Sequence, residues 1–183
     1  MRLAYKAFYP GFVCRGYKFH PTEKNVTKEA NCVKNGFHCC DNPLDCLYHY
    51  PDIKKSIYCI VDISGDMDED AVDSKIAATE LTIKKVLDLP TFFLHILIYM
   101  AKRPKAPSNP RIQREAGTAQ NGYVIVRGKN PIAKGKNNDI LAFAEEDEVG
   151  NIAEIAVIVV DGDKIKEDTY YNIQAKEESH REL

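Results

Sequence analysis

The chain has 183 residues, of which 44% are hydrophobic and 28% are charged, and its net charge is −2 at neutral pH. These values are ordinary for a soluble globular protein with one core and at most a small appendage. The longest apolar run, residues 92–101, is too short to cross a bilayer, and the N-terminus lacks the apolar stretch of a secretory signal. We therefore expect a cytoplasmic protein. In that compartment the six cysteines would be reduced thiols.

The charges are strongly segregated along the chain. Residues 1–101 carry 12 Lys/Arg against 13 Asp/Glu, residues 102–136 carry nine against one, and residues 137–183 carry four against 13. The interval 102–136, here called the basic belt, is predicted to attract phosphate groups or an acidic protein surface. The alternative is that it folds against the chain's own acidic C-terminal portion.

The N-terminal segment predicts two strands. Residues 2–9 are rich in apolar and aromatic side chains, and Pro10-Gly11 follows them as a turn. Residues 12–19 alternate well enough for a second strand, in which Gly16 would form a bulge.

A Cys/His motif occupies residues 32–50 and contains four of the six cysteines. Asn35-Gly36 predicts a tight turn, and an extended piece follows it over residues 37–40. Asn42 and Pro43 then predict the start of a short helix, because Asn caps free N–H groups and Pro suits the first helical position. That helix is expected to end before Pro51.

Strands and one longer helix are predicted beyond the motif. Residues 56–64 are rich in β-branched side chains and predict a strand, whereas residues 65–73 are acidic and predict a solvated loop. A calcium-loop interpretation of this acidic stretch fails at its sixth and twelfth positions. Residues 74–83 are ambiguous. Residues 88–103 predict a helix with a broad apolar face.

The prolines of residues 104–110 indicate a domain boundary. We predict a front module over residues 1–103, a Pro-rich basic linker over residues 104–117, and a β-rich C-terminal module over residues 118–183. The predicted fold class is α+β, with a small mixed sheet carrying one short and one long helix, followed by the β-rich module.

The cysteines and histidines raise the question of a metal site. Cys46 and His49 have the spacing of a zinc ligand pair on one helical turn, but the chain contains no Cys-x-x-Cys sequence. Free cysteine is also a common buried small hydrophobic residue. We therefore predict buried thiols and no metal site, with a zinc-stabilised structural module as an alternative.

Two stretches of the front module carry a family likeness. They are Lys6-Ala-Phe…Cys14-Arg15-Gly16 and Cys32…Gly36-Phe37-His38-x-Cys40-x-Asn42-Pro43-Leu44-Asp45-x-Leu47. Together with the tail over residues 159–171, they resemble an uncharacterised domain found in phage- and prophage-encoded proteins. The resemblance implies a viral or mobile-element origin, and hence the host cytoplasm as location. It implies no catalytic residues.

A more distant pattern resembles the ADP-ribosyltransferase fold. Arg15 on an early strand, His38, and a helix that ends in Tyr48-x-Tyr50 are similar to the elements with which that fold grips NAD. The fold also uses a glutamate on a late strand, and Glu154 lacks the usual flanking pattern. The resemblance implies an NAD-dependent enzyme as an alternative function. The other interpretation is that Arg15, Tyr48 and Tyr50 are packing and surface residues.

The predicted function is binding rather than catalysis. We expect a phage or prophage accessory protein that engages a host or defence component, either a protein or a phosphate-bearing ligand, for example as an inhibitor of the anti-CRISPR type. Nonspecific contact with phosphate or nucleic acid is compatible with the basic belt, and neither a cofactor nor a membrane partner is expected. The candidate binding residues are Arg15, His38, Tyr48, Tyr50, Arg127, Lys129, Lys134 and Lys136.

Overall fold

The computed structural model describes residues 2–32, 34–70 and 74–179. It divides the chain into two compact units, residues 1–88 and residues 89–183. Strands make up 49% of the described residues and helices 12%, so the protein is mostly β. The predicted α+β class is therefore wrong, because the strands are longer and more numerous than the sequence pattern indicated.

The first unit is built from seven strands and one short helix in its described part. They are β1 (Arg2–Phe8), β2 (Val13–Cys14), β3 (Tyr17–Lys18), β4 (Asn25–Val26), β5 (Phe37–Cys40), α1 (Pro43–His49), β6 (Ile57–Glu69) and β7 (Lys75–Leu87). Five strands form one sheet in the order β4-β7-β5-β1-β6, and β6 also pairs with β7. The pairings of β7, β5, β1 and β6 thus close into a ring. Every pairing in this sheet is antiparallel, not mixed as predicted.

The core of the first unit lies on the inner faces of these strands. Ala4 and Phe8 of β1 are fully buried, and Phe8 makes an edge-to-face contact with Phe19, with 5.1 Å between the ring centroids. Phe37, at the start of β5, packs against Phe19 in turn. Alternate residues of a strand point to the same face, so Lys6 of β1 faces the same interior as Ala4 and Phe8.

The acidic stretch predicted as a loop belongs to a long hairpin. β6 continues through residues 65–69 and pairs with β7, which includes residues 75–83 of the ambiguous segment. Residues 71–73 lie outside the described residues. Gly65 (φ +75°) marks a shift of register in β6, and a Cβ atom there would collide with Thr79. The acidic side chains are exposed, so pairing of the backbone decided the structure here and local polarity did not.

Residues 12–19 form a hairpin instead of one bulged strand. β2 and β3 pair through Cys14 and Tyr17, and the two residues between them have positive φ, 48° at Arg15 and 80° at Gly16. This is the geometry of a two-residue turn whose twist suits a hairpin. Arg15 therefore lies at the tip of a turn.

Helix α1 forms as the sequence predicted. The Asn42 side chain accepts a hydrogen bond of 3.1 Å from the N–H of Leu44, and Pro43 occupies the first helical position. The helix ends with Tyr50 as its C-cap, immediately before Pro51. Leu44 and Leu47 are buried, which gives the helix one apolar side.

The second unit, as far as it is described, combines one helix with six strands. They are α2 (Leu89–Lys102), β8 (Ile112–Thr118), β9 (Tyr123–Lys134), β10 (Ile140–Glu146), β11 (Ile152–Val159), β12 (Tyr170–Asn172) and β13 (Glu177–Glu178). β8 begins inside the predicted linker. β9 pairs in parallel with both β8 and β10, and the other pairings are antiparallel. Helix α2 packs on β10 and β11. No helix in the described ranges is long and apolar enough to cross a bilayer.

Candidate binding site

A cavity of about 450 Å³ opens in the first unit. Its lining comes from β1, the β2–β3 hairpin, β5, the C-terminal end of α1 and the first residue of β7. The Cys/His motif contributes β5 and α1, which carry His38, Cys40, Cys46 and Tyr50 to the cavity. The antiparallel neighbours β1, β5 and β7 bring residues far apart in sequence to one wall.

Lys6 lies in this wall and is only 4% exposed. Its ammonium group donates hydrogen bonds to the carbonyl oxygen of His38 (2.5 Å) and to Sγ of Cys14 (3.6 Å). It also lies 5.2 and 5.1 Å from the ring centroids of Phe8 and Phe19. Within the described part of the chain, Lys6 forms no ion pair with a carboxylate. Buried charges normally have such a partner.

Two further cations line the same cavity. Arg15 is exposed at the tip of its turn, and it too has no carboxylate partner among residues 2–32, 34–70 and 74–179. Lys75 forms an ion pair with Asp70, whose carboxylate lies 3.6 Å from Nζ. No aspartate or glutamate of the described residues lines the cavity. Its electrostatic character is therefore positive.

The positive charge around the cavity affects the pKa of His38. Burial, followed by the charges of Lys6, Arg15 and Lys75, lowers the pKa of His38 to about 4. The imidazole is consequently neutral at pH 7. A neutral ring can accept or donate a hydrogen bond without adding charge, so the three cations dominate the recognition chemistry.

Two tyrosines add aromatic surface to the cavity. The rings of Tyr9 and Tyr50 contact each other with 5.0 Å between their centroids, and Tyr9 is 54% exposed. The Tyr50 hydroxyl donates to Sγ of Cys14 at 3.0 Å, and the Tyr58 hydroxyl donates to the Tyr50 carbonyl oxygen at 2.6 Å. Burial, followed by the hydrogen bond with Cys14, raises the pKa of Tyr50 far above its usual range.

Buried thiols form part of the cavity lining. Burial raises the pKa of Cys39 to about 12, and that of Cys46 is raised by a hydrogen bond with Cys40 and then by burial. Both thiols are therefore protonated at neutral pH and are poor nucleophiles. None of the six cysteines forms a disulfide bond. Cys46 and His49 both line the cavity, but no group of three or more His, Cys, Asp or Glu side chains in the described ranges could hold a metal ion.

The structure brings three of the eight predicted binding residues together. Arg15, His38 and Tyr50 all line the cavity. Tyr48 does not line it; its side chain is 71% exposed and its ring contacts that of His49. The other four predicted residues belong to the second unit.

Two arginines of the second unit share one carboxylate. Nε of Arg127 lies 2.5 Å from Glu146, and the Arg114 guanidinium lies 2.6 Å from the other oxygen of that carboxylate. The hydrogen bond with Arg114 is the largest cause that lowers the pKa of Glu146 to about 2. Arg127 also donates to the carbonyl oxygens of Pro104 and Gly150.

The three lysines of the basic belt that were predicted to bind also contact groups of their own unit. Lys129 pairs with Glu148 at 2.6 Å, and Lys136 pairs with Asp168 at 2.5 Å. Nζ of Lys134 lies 4.8 Å from the ring centroid of Tyr170. The belt thus folds against the chain's own acidic C-terminal portion, which was the alternative interpretation of its charge. These pairs reduce what the belt offers to an external anion.

Sequence reasoning missed Lys6, Lys75 and Tyr9. A signal for Lys6 was present, because this lysine alternates with Ala4 and Phe8 on the face of β1 that packs inward. A lone lysine at such a position has either a structural partner or a functional one. No comparable signal marked Lys75, which reaches the cavity only through the pairing of β7 with β5.

Comparison with known families shows a match that covers the first unit. Residues 2–95 match a family described as Domain of unknown function (DUF7666). The chain belongs to this family. The match includes every residue that lines the cavity. It confirms that the front part of the chain is a domain of unknown function, whereas the phage origin and the motif of the predicted family stay predictions. No curated protein and no solved structure matches the chain.

Proposed function

We propose that the first unit binds a small phosphate-bearing ligand in its cavity. The observation that carries this proposal is the buried Lys6 of the cavity lining, whose ammonium group has no carboxylate partner in the described structure. A charge removed from water is costly unless an opposite charge compensates it. A bound anion would supply that charge.

The number and kind of cations favour phosphate over a single carboxylate. A phosphate group presents several acceptor oxygens and up to two negative charges. Arg15 can offer two parallel N–H donors to such a group, and lysine acts as a compact point charge. The absence of carboxylates from the described lining leaves nothing inside the cavity that would repel the anion.

The protonation states of the lining favour binding over catalysis. General acid–base catalysis works best with a pKa near the operating pH. Here the pKa of His38 is lowered to about 4, and that of Cys39 is raised to about 12. Such groups neither take up nor release a proton readily at neutral pH. A binding role also agrees with the sequence-based expectation, whose host or defence partner stays a prediction.

Isothermal titration with inorganic phosphate and pyrophosphate at low salt tests the proposal. We expect binding by the unaltered protein and at least a tenfold loss in Arg15→Asn, because one charge-assisted hydrogen bond contributes about 1.5–3 kcal/mol. Asparagine is chosen because it tolerates the positive φ of this turn. The matched control is Lys18→Asn, which removes a cation of the same hairpin outside the cavity lining.

Two results would refute the proposal. One is the lack of any heat of binding with either anion at millimolar concentration. The other is equal weakening by the Arg15 and Lys18 variants, which would indicate general attraction to a positive surface instead of a site. Circular dichroism of each variant shows whether the fold is retained.

An NAD-dependent transferase remains a second candidate, because Arg15, His38 and Tyr50 converge on one cavity as that hypothesis requires. The described lining contains no glutamate, and Glu154 is an exposed residue of β11 in the other unit. Incubation with labelled NAD and cell lysate distinguishes the candidates. Transfer of label that disappears in Arg15→Asn and Tyr50→Ala would favour the enzyme, and no transfer would leave binding as the function.

A further inference from the structure

We infer that the ligand is a mononucleotide whose base stacks on the tyrosine pair Tyr9–Tyr50 while its phosphate meets the cations of the cavity. This inference rests on the proposed function and adds the chemical class of the ligand. Its basis is the presence of an aromatic surface and a cationic surface in one cavity.

The aromatic surface is accessible. Tyr9 keeps 54% of its surface exposed although its ring contacts Tyr50, and both rings line the cavity. The exposed face of Tyr9 at the cavity can be covered by a flat apolar partner, and every nucleobase offers such a face. Proteins that bind single nucleotides or single strands use aromatic side chains in this way.

The aromatic pair and Arg15 are held by one bonded framework. The backbone N–H and carbonyl of Tyr9 exchange hydrogen bonds of 2.9 and 3.3 Å with Val13, which opens the hairpin that carries Arg15. The Tyr50 hydroxyl donates to Sγ of Cys14, the residue before Arg15. The two rings and the turn that carries Arg15 are therefore held close to each other, and the exposed guanidinium group extends from this turn. Such a fixed spacing suits a ligand in which a base and a phosphate are joined covalently.

The size of the cavity agrees with a single nucleotide. Its volume of about 450 Å³ falls at the lower end of the range of roughly 300–1,000 Å³ typical of small-ligand sites. A dinucleotide such as NAD has two bases and two riboses, and it would have to extend beyond the cavity. The size therefore favours the smaller ligand.

Titration with four compounds tests the inference: adenosine 5′-monophosphate, ribose 5-phosphate, inorganic phosphate and adenosine. We expect the mononucleotide to bind at least about tenfold more tightly than ribose 5-phosphate, which is the scale of base stacking on one aromatic side chain. Tyr9→Leu should remove this advantage and leave the affinity for ribose 5-phosphate unchanged. Arg15→Asn should weaken both phosphate compounds. The matched control is Tyr48→Leu, an exposed tyrosine outside the cavity lining.

The outcomes separate this inference from the proposed function. Equal affinities for adenosine 5′-monophosphate and ribose 5-phosphate would overturn the nucleotide inference and leave phosphate binding intact. Equal affinities for adenosine and adenosine 5′-monophosphate would overturn the role of phosphate and with it the proposed function. An unchanged nucleotide advantage in Tyr9→Leu would also refute stacking on this pair.

Discussion

Replacing Lys6 by methionine is expected to stabilise the fold and to abolish anion binding at the same time. The side chains have similar length, so methionine can follow the course of the lysine stem between the rings of Phe8 and Phe19. Its thioether makes favourable contacts with aromatic rings. The change removes a buried charge that has no carboxylate partner within the described structure.

The expected magnitude follows from two opposing contributions. The loss of the hydrogen bond from Lys6 to the His38 carbonyl costs about 1.5–3 kcal/mol, because one partner is charged. Removal of the desolvated ammonium group raises the free energy of unfolding by several kcal/mol. The net effect should be a stabilisation of about 1–2 kcal/mol, which lies within the range of single stabilising substitutions that reduce function. For a chain of this length that raises the melting temperature by roughly 2–4 °C per kcal/mol.

Urea denaturation and calorimetry measure the effect, with Lys18→Met as an exposed control that should change stability by less than about 0.5 kcal/mol. Phosphate at 100 times its Kd should stabilise the unaltered protein by about 2.7 kcal/mol and the Lys6 variant far less. A loss of more than about 1 kcal/mol in Lys6→Met would refute the reasoning. Lys6 would then be a structural residue whose hydrogen bonds outweigh the cost of its burial.

Three further changes test other parts of the structure. Burial holds the pKa of His38 at about 4 in the folded state, against about 6.5 in the unfolded chain. The unfolded state therefore takes up the proton first as pH drops from 6.5 to 4, and stability should fall by about 2 kcal/mol, less than the roughly 3.4 kcal/mol of the full pKa difference because solvent screens this half-buried ring. The free energy of unfolding, measured across this pH range, should lose this fall in His38→Gln. Glu146→Gln should lower the free energy of unfolding by about 2 kcal/mol, because it deprives Arg114 and Arg127 of their shared carboxylate. The control Glu148→Gln breaks an exposed ion pair and should cost under about 0.5 kcal/mol in urea denaturation. Equal costs would contradict the assumption that the more buried carboxylate contributes more. Gly65→Ala should cost about 2 kcal/mol or more, because the residue has positive φ and the added Cβ would collide with Thr79. The control Gly150→Ala should cost only about 1 kcal/mol, because its φ is also positive but its Cβ would have open space. A lower melting temperature for Gly150→Ala than for Gly65→Ala would show that the register shift at Gly65 tolerates a side chain.

Helix α1 shows how far local chemistry alone specifies structure. Asn42, Pro43 and Pro51 identify its start and end because capping and the missing N–H of proline act within a few residues. The strand over residues 57–64 was also recognisable, since β-branched side chains favour extended backbone. These signals require no knowledge of distant residues.

The extent of β6 and β7 could not be read in the same way. Residues 65–69 are exposed and acidic, and a strand there gains its stability from hydrogen bonds to β7 across the hairpin. Propensity describes the segment in isolation, whereas the partner strand decides its conformation. This is why a chain that contains recognisable helices proved to be mostly β.

The sequence by itself determined the chemical inventory: the segregated charges, the cluster of thiols, the capped helix and the tyrosines. Only the tertiary structure decided which of these groups meet. It paired Arg127 with Glu146 inside the second unit, and it brought Lys6, Arg15 and Lys75 from three distant positions to one cavity. Of these three cations, only Lys75 forms an ion pair with a carboxylate of the described residues, that of Asp70. The physical reason is that charge composition is a local property of the chain, whereas neutralisation and burial depend on which strands lie side by side.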